Sequence, residues 1–295
     1  MGAETDAGEW RNAYLVQFPF SIGQKEYFYA QNQSTNYWFI QELHSEGKMG
    51  QETDNGHWKY AYGVQFPFTI GNRVFFYGQN LDDHNWFIQE LKPDGQMGDE
   101  MSHGSWDNAY HVQYPFTIDN QQYFYGQNLD TKYWFIQKIL PGGKMGPETE
   151  HGTWQNAYAV QLPFSIGENQ YFYGQTVDKT NRDRDTPPVT GYWFVQQLLS
   201  GGKMGKEISR GTRDKKFNVQ FTYSIGNTHY LYGHSLRTRD WLIEQINENG
   251  PMEAYSEASK FDNSYDVQFP FAVGKQQFFL RNDTSSYRWF IQKLN

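Results

Sequence analysis

The stretch Tyr133-Trp134-Phe135-Ile136-Gln137 recurs along this chain. Its tryptophan returns as Trp38, Trp86, Trp134, Trp193, Trp241 and Trp289, in steps of 48, 48, 59, 48 and 48 residues. A fixed period of about 40 to 50 residues repeated more than three times is the mark of a repeat architecture, in which each unit buries its apolar face against the next. The repeat therefore outranks the prior of about two domains that 295 residues would otherwise suggest.

Working outward from that stretch gives the unit. Tyr110, Val112, Tyr114, Phe116 and Ile118 alternate with other residues, a period of two that predicts a strand. Pro115 lies on the opposite set and predicts a bulge or a sheet edge, because it cannot donate to a ladder. After the turn signal Asp119-Asn120 comes an aromatic strand, Gln122 to Asn128. A further turn, Leu129 to Lys132, leads into Tyr133 to Ile139 as the third strand. Pro141-Gly142-Gly143 breaks it, and Lys144 to Thr149 reads as a weaker extended segment leading to Gly152-Thr153-Trp154. Each unit thus predicts three clear strands and one doubtful one, with no helical period anywhere.

The units open at Trp10, Trp58, Trp106, Trp154, Arg213 and Phe261, giving repeats 10–57, 58–105, 106–153, 154–212, 213–260 and 261–295 plus 1–9. The fourth is longer by a polar insertion around Asn181 to Pro188, expected to be an exposed loop. The last unit stops just after its third strand, and Met1-Gly2-Ala3-Glu4-Thr5 matches Met49-Gly50-Gln51-Glu52-Thr53 one period earlier. The chain therefore reads as complete and without a leader, its start supplying what its end lacks. A linear stack needs polar caps, and a closed ring does not. The prediction is an all-β, six-bladed β-propeller in one domain, 1–295, closed by the N-terminal segment pairing with the last blade. Two trefoils of three units each are the rival, but the unbroken step from Trp106 to Trp154 speaks against them.

Composition excludes several classes. The net charge is −8, which argues against nucleic acid and against anionic membrane surfaces. No apolar run approaches the ~20 residues of a membrane span. Cysteine is absent, which removes disulfides, thiolate metal sites and a cysteine nucleophile. No basic-then-apolar leader opens the chain, so cytoplasmic synthesis is expected, with any release by a non-classical route. Aromatics make up 19% of residues and can fill a core that a 38% hydrophobic fraction otherwise would not.

Comparing the units with one another sorts framework from candidate site. The third-strand Trp is kept in all six, as is the Gln of the Val-Gln pair: Gln17, Gln65, Gln113, Gln161, Gln220 and Gln268. These are expected to pack between sheets and to satisfy buried backbone groups. Other positions change in units five and six. Trp10, Trp58, Trp106 and Trp154 become Arg213 and Phe261, and Gln31, Gln79, Gln127 and Gln175 become His234 and Arg281. Glu4, Glu52, Glu100, Glu148 and Glu207 become Tyr255, and the third-strand Gln41, Gln89, Gln137, Gln196 and Gln292 become Glu244. A flat indole beside amides and carboxylates suits a sugar, whose C–H face stacks and whose hydroxyls bond in both directions. The carbohydrate-binding candidates are the four Trp from Trp10 to Trp154, the four Gln from Gln31 to Gln175, and Glu52, Glu100, Glu148 and Glu207. The bland alternative is that Gly-x-Trp is a turn whose Trp closes a blade edge.

The aromatic strands Tyr-Phe-Tyr-Gly-Gln-Asn and Tyr-Trp-Phe-Ile-Gln, set on near-identical units, resemble the lectin β-propellers, such as the tachylectins and the fungal and bacterial fucose-binding lectins. That resemblance is architectural. It implies sugar pockets between adjacent blades, one per repeat. Tyr-Phe-Tyr-Gly followed by Tyr-Trp is also similar to the hemopexin repeat, which makes four blades.

Enzyme signatures are not found. Thr149 to Trp154 is a residue short of a sialidase Asp-box and lacks its Asp. A glycosidase needs a unique carboxyl pair, whereas the acids here are repeated. No nucleophile elbow, paired-His metal motif, phosphate loop or dinucleotide fingerprint occurs. Asp82-Asp83-His84-Asn85 is too short for a calcium loop. The expectation is a multivalent lectin that meets glycans on cell surfaces or glycoproteins, with avidity from repeated weak sites. No catalytic residue, metal or cofactor is expected. The alternative is a protein-interaction platform using units five and six and the insertion at 181–188.

Overall fold

The computed structural model describes residues 2–176, 191–213, 217–247 and 257–294. The insertion of the fourth unit and Tyr255 lie outside the described residues. The fold is a six-bladed β-propeller of four-stranded antiparallel sheets. Strand β1 is Glu4–Glu9. Blade 1 holds β2 (Val16–Ile22), β3 (Lys25–Gln31), β4 (Tyr37–His44) and β5 (Lys48–His57). Blade 2 holds β6 (Val64–Ile70), β7 (Arg73–Gln79), β8 (Asn85–Leu91) and β9 (Met97–Ser105). Blade 3 holds β10 (Val112–Ile118), β11 (Gln121–Gln127), β12 (Tyr133–Leu140) and β13 (Lys144–Thr153). Blade 4 holds β14 (Val160–Ile166), β15 (Asn169–Gln175), β16 (Gly191–Leu199) and β17 (Lys203–Arg213). Blade 5 holds β18 (Val219–Ile225), β19 (Thr228–His234), β20 (Asp240–Ile246) and β21 (Glu257–Lys260). Blade 6 holds β22 (Val267–Val273), β23 (Gln276–Asp283), β24 (Arg288–Lys293) and, from the other end of the chain, β1.

Two compact units contain these blades. One comprises Met1–Asp107, Gly142–Lys144 and Asn263–Asn295; the other comprises Asn108–Pro141 and Met145–Asp262. In the first, β2 lies against β6 and β22; in the second, β14 lies against β10 and β18. The Val-Gln strand is therefore the innermost of its blade, and in five of the six it continues as x-Pro, with Thr222 in that place in blade 5. Its inner edge has no ladder partner, which explains the proline: Pro115 pairs with Phe124 in unbroken register, at a sheet edge rather than a bulge.

The doubtful fourth strand is a full one. In blade 1 it runs ten residues, but the β4–β5 register shifts around Gln41. Equivalent shifts occur around Gln89 and Gln196. The third-strand glutamine fills the irregularity. Gln41 Nε2 donates to the Gly50 carbonyl at 2.7 Å, and Gln89, Gln137, Gln196 and Gln292 do the same for Gly98, Gly146, Gly205 and Gly2. A backbone carbonyl freed by a bulge must find a donor. The amide side chain supplies it inside the sheet.

That pattern also closes blade 6. Strand β1 pairs with β24, Gly8 opposite Trp289 and Glu4 opposite Gln292. Gly8 is required there, because a Cβ on it would sit 2.5 Å from the Trp289 ring. The Glu-Thr-Asp segment then latches the next blade. Thr5 donates to the Gly47 carbonyl at 2.8 Å, and Asp6 accepts from the Met49 amide at 2.9 Å. Thr53 and Asp54 repeat the latch on Gly95 and Met97, at 2.8 Å each. Thr149 repeats it on Gly202 at 2.8 Å, with Glu150 reaching the Met204 amide. The sequence motif that signalled closure is thus a blade-to-blade clasp.

Deleting residues 2–9 should lower the melting temperature by on the order of 10 °C, since it removes a strand, a latch and the cover of Trp289. A synthetic peptide of that sequence should restore it. An unchanged melting temperature in the deletion would show that blade 6 does not depend on β1.

Candidate functional site

The unit-opening tryptophans lie in the seams between blades. Each is half-buried and packs on the third-strand Trp of the preceding blade. The centroid distance is 5.4 Å for Trp10–Trp289, 5.3 Å for Trp38–Trp58, and 5.5 Å for both Trp86–Trp106 and Trp134–Trp154. The other side of Trp58 meets the following blade, 5.8 Å from Phe76 and 5.2 Å from Phe87. In three of the four the indole N–H is also engaged. Trp58, Trp106 and Trp154 donate to the hydroxyls of Tyr29, Tyr77 and Tyr125 at 2.8, 3.0 and 2.9 Å. The geometry is that of the bland alternative, an indole closing a blade edge.

The Gln31 set is buried as well. Gln31, Gln79 and Gln127 are 0% exposed and Gln175 is 1%. Gln65 Nε2 donates to Gln31 Oε1 and, at 2.7 Å, to the Tyr62 carbonyl; the Tyr29 hydroxyl donates to Gln65 Oε1 at 2.8 Å. Gln161 bridges Gln127 and the Tyr158 carbonyl in the same way. All four lie inside the core, where Gln31 and Gln127 accept from other amides, so the expectation that they face a sugar is corrected. The register also corrects the sixth member. Asn282, opposite Trp289, occupies the place of Gln31, whereas Arg281 stands opposite Phe290.

Units five and six fill the seam differently. Arg213 takes the Trp slot and stacks over Trp193 at 5.4 Å, while its guanidinium grips Glu244 through two hydrogen bonds. The two side chains are 9% and 10% exposed. Leu231 and Leu242 replace the phenylalanines that flank the slot elsewhere, which leaves Arg213 room to reach Glu244. The two departures, Trp to Arg and Gln to Glu, are one buried ion pair. Phe261 in the next slot keeps only the stacking, 5.8 Å from Trp241.

The glutamates differ from both other sets: Glu52, Glu100, Glu148 and Glu207 are all exposed, on the fourth strands. In blade 3 the Tyr133 hydroxyl donates to Glu148 at 3.5 Å, His151 Nδ1 lies 2.5 Å from the same carboxylate, and the His151 ring stacks on Tyr133 at 5.8 Å. In blade 4 the Tyr192 hydroxyl donates to Glu207 at 3.3 Å, and Arg210 lies 3.6 Å away. In blade 1 Asn55 donates to Glu52 at 2.7 Å, with Tyr37 and His57 side by side at 5.2 Å. In blade 2 His103 sits 2.6 Å from Glu100, and Asn85 replaces the tyrosine. Burial, and after it the neighbouring carboxylate, pushes the Tyr37, Tyr133 and Tyr192 hydroxyls above their ordinary pKa. Each therefore stays a neutral donor and acceptor across the physiological range. Sequence reasoning singled out the glutamates and did not name their tyrosine and His, Asn or Arg neighbours. Their spacing, three residues on along the strand and one strand across, was the available signal.

Among the described residues no group of three or more His, Asp and Glu is arranged to hold a metal. Among the described residues no helix is long and apolar enough to cross a membrane.

No protein-family model matches the chain, and no curated protein sequence matches it. Solved structures do. An exo-β-1,3-galactanase from Phanerochaete chrysosporium, in complex with β-1,3-galactotriose, superposes with a TM-score of 0.56 at 8% identity, over 98% of this chain and 69% of its own. An exo-β-1,3-galactanase from Clostridium thermocellum gives 0.55 at 9% identity, over 98% and 68%. CoXyl43, a GH43 β-xylosidase/α-arabinofuranosidase from a compost microbial metagenome in complex with xylotriose, gives 0.50 at 11% identity, over 100% and 95%. Identities this low show the fold alone. They still correct two expectations. These three similar propellers are glycosidases, and a putative 6-phosphogluconolactonase and a hydrazine synthase share the fold with them; none of these is a lectin, so the multivalent lectin with like sugar sites at blade junctions does not stand. The exclusion of an enzyme falls with it, because one fold hosts many functions.

Two outcomes follow from the seams. Arg213→Trp or Glu244→Gln alone should each cost about 3–5 kcal/mol by leaving a buried charge unpaired. The double variant should recover most of that in chemical denaturation, and additive losses would contradict the pairing. Burial also raises the Tyr29, Tyr77 and Tyr125 hydroxyls well above the usual 10.0, and Tyr173 to about 12. The unfolded chain then loses these protons first, so stability should fall as pH rises above about 10. Tyrosinate absorbance should appear together with loss of circular dichroism. Ionisation of all tyrosines in a still-folded chain would contradict this.

Proposed function

We propose that this propeller is carbohydrate-active, and that its tyrosine–glutamate clusters on the third and fourth strands meet sugar hydroxyls. The observation that carries the reading is the pairing of Tyr133 with Glu148 and of Tyr192 with Glu207, at 3.5 and 3.3 Å, each with a third polar side chain on the carboxylate. A carboxylate accepts from vicinal hydroxyls, and a tyrosine hydroxyl donates and accepts beside it. The stacked Tyr133 and His151 add a flat surface for a pyranose C–H face. Oligosaccharides accompany two of the similar solved propellers, β-1,3-galactotriose and xylotriose, so neutral, β-linked chains are the class to try.

Titration with β-1,3-galacto- and xylo-oligosaccharides, followed by NMR shifts, tests the reading. A saturable shift of Tyr133 and Tyr192 resonances is expected. Glu148→Gln should weaken binding at blade 3 by about tenfold, the worth of one hydrogen bond to a charged group. Release of reducing ends in the same mixture reports hydrolysis. Absence of both shifts and products across the panel would refute a carbohydrate role for these clusters.

A further inference from the structure

The seam that joins the two ends of the chain lacks a group that other seams have. Between blades 1 and 2 the Tyr29 hydroxyl accepts from Trp58 Nε1–H at 2.8 Å and donates to Gln65 Oε1 at 2.8 Å. Between blades 3 and 4 the Tyr125 hydroxyl accepts from Trp154 Nε1–H at 2.9 Å. Between blades 6 and 1 the corresponding residue is Leu280, fully buried. Both atoms that the hydroxyl would serve are still there. Trp10 Nε1 and Gln17 Oε1 are buried without a hydrogen-bond partner. The rest of the seam is intact: Gln17 Nε2 donates to Asn282 Oδ1 at 2.9 Å, and Trp10 stacks on Trp289 at 5.4 Å. Its indole also lies 6.0 Å from Phe28.

We infer that this seam is a binding site for a single internal water, held where the tyrosine hydroxyl stands in the other seams. The donor and the acceptor are the counterparts of the two atoms that meet the Tyr29 hydroxyl in the seam between blades 1 and 2, and leucine has four fewer side-chain heavy atoms than tyrosine. Water accepts from Trp10 Nε1–H and donates to Gln17 Oε1, the two bonds a hydroxyl makes, within the range of about 2–4 for internal waters. Leaving both atoms unbonded in the core would be strongly unfavourable. Among the described residues neither atom has a hydrogen-bond partner, and no apolar filler could supply one.

The test compares wild type with Leu280→Tyr and Leu280→Phe, which place the same ring in the seam with and without the hydroxyl. The tyrosine variant should melt several degrees above the phenylalanine variant, because phenylalanine displaces the water without replacing its bonds. Whatever crowding the ring causes is common to both. In the wild type the Trp10 indole N–H should show a rotating-frame Overhauser cross-peak to a long-lived water, and that peak should vanish in Leu280→Tyr. Equal melting of the two variants would overturn the inference. So would a wild-type Trp10 indole without a water cross-peak.

Discussion

An indole clamped between two sheets holds neighbouring blades together. Trp58 shows the arrangement in full: Trp38 of one blade on one side, Phe76 and Phe87 of the next on the other, and a buried tyrosine hydroxyl on its only polar atom. Aromatic pairs of this kind add about 0.5–1.5 kcal/mol each beyond the area they bury. Glycines make the approach feasible. A Cβ at Gly56 or Gly104 would fall 2.9 or 2.6 Å from the third-strand indole. The Gly-x-Trp motif is thus one device, in which the glycine admits one tryptophan and the next residue but one supplies the other.

The slot tolerates different chemistry as long as its polar atoms are answered. Arg213 keeps the stacking through its guanidinium plane and finds Glu244 for its charge. Phe261 keeps the stacking and brings no polar atom. Buried polarity is expensive only when unpaired, so drift in this slot has to carry its partner with it. With the core and seams absorbing the tryptophans and inner glutamines, the outward faces of the third and fourth strands are left to vary. There the glutamates keep company with Asn55, His103, His151 and Arg210 in turn.

The period of the third-strand Trp made the number of blades legible, and the match of Glu4-Thr5 to Glu52-Thr53 made blade 6 legible as a sheet built from both ends. The fourth strand read as doubtful because a register shift interrupts its alternation at Gln41 and its glycines carry no side chain. The inner glutamines read as sugar ligands because an amide looks alike from sequence whether it meets a hydroxyl or another amide. Only burial separates the two. Arg213 and Glu244 stood out singly, but both fall in unit five with opposite charges, and that coincidence was the legible sign of a pair. The place of Asn282 was lost by one residue, since counting without a strand register cannot tell it from Arg281.

The claim on which the rest depends is that the unit-opening tryptophans belong to the seams. Hydrogen exchange at the indole N–H groups, followed by NMR, tests it directly. The account predicts that Trp58, Trp106 and Trp154, each donating to a buried tyrosine, exchange only with global unfolding. Exchange at the rate of a solvent-facing indole, in a chain whose strand amides remain protected, would contradict it.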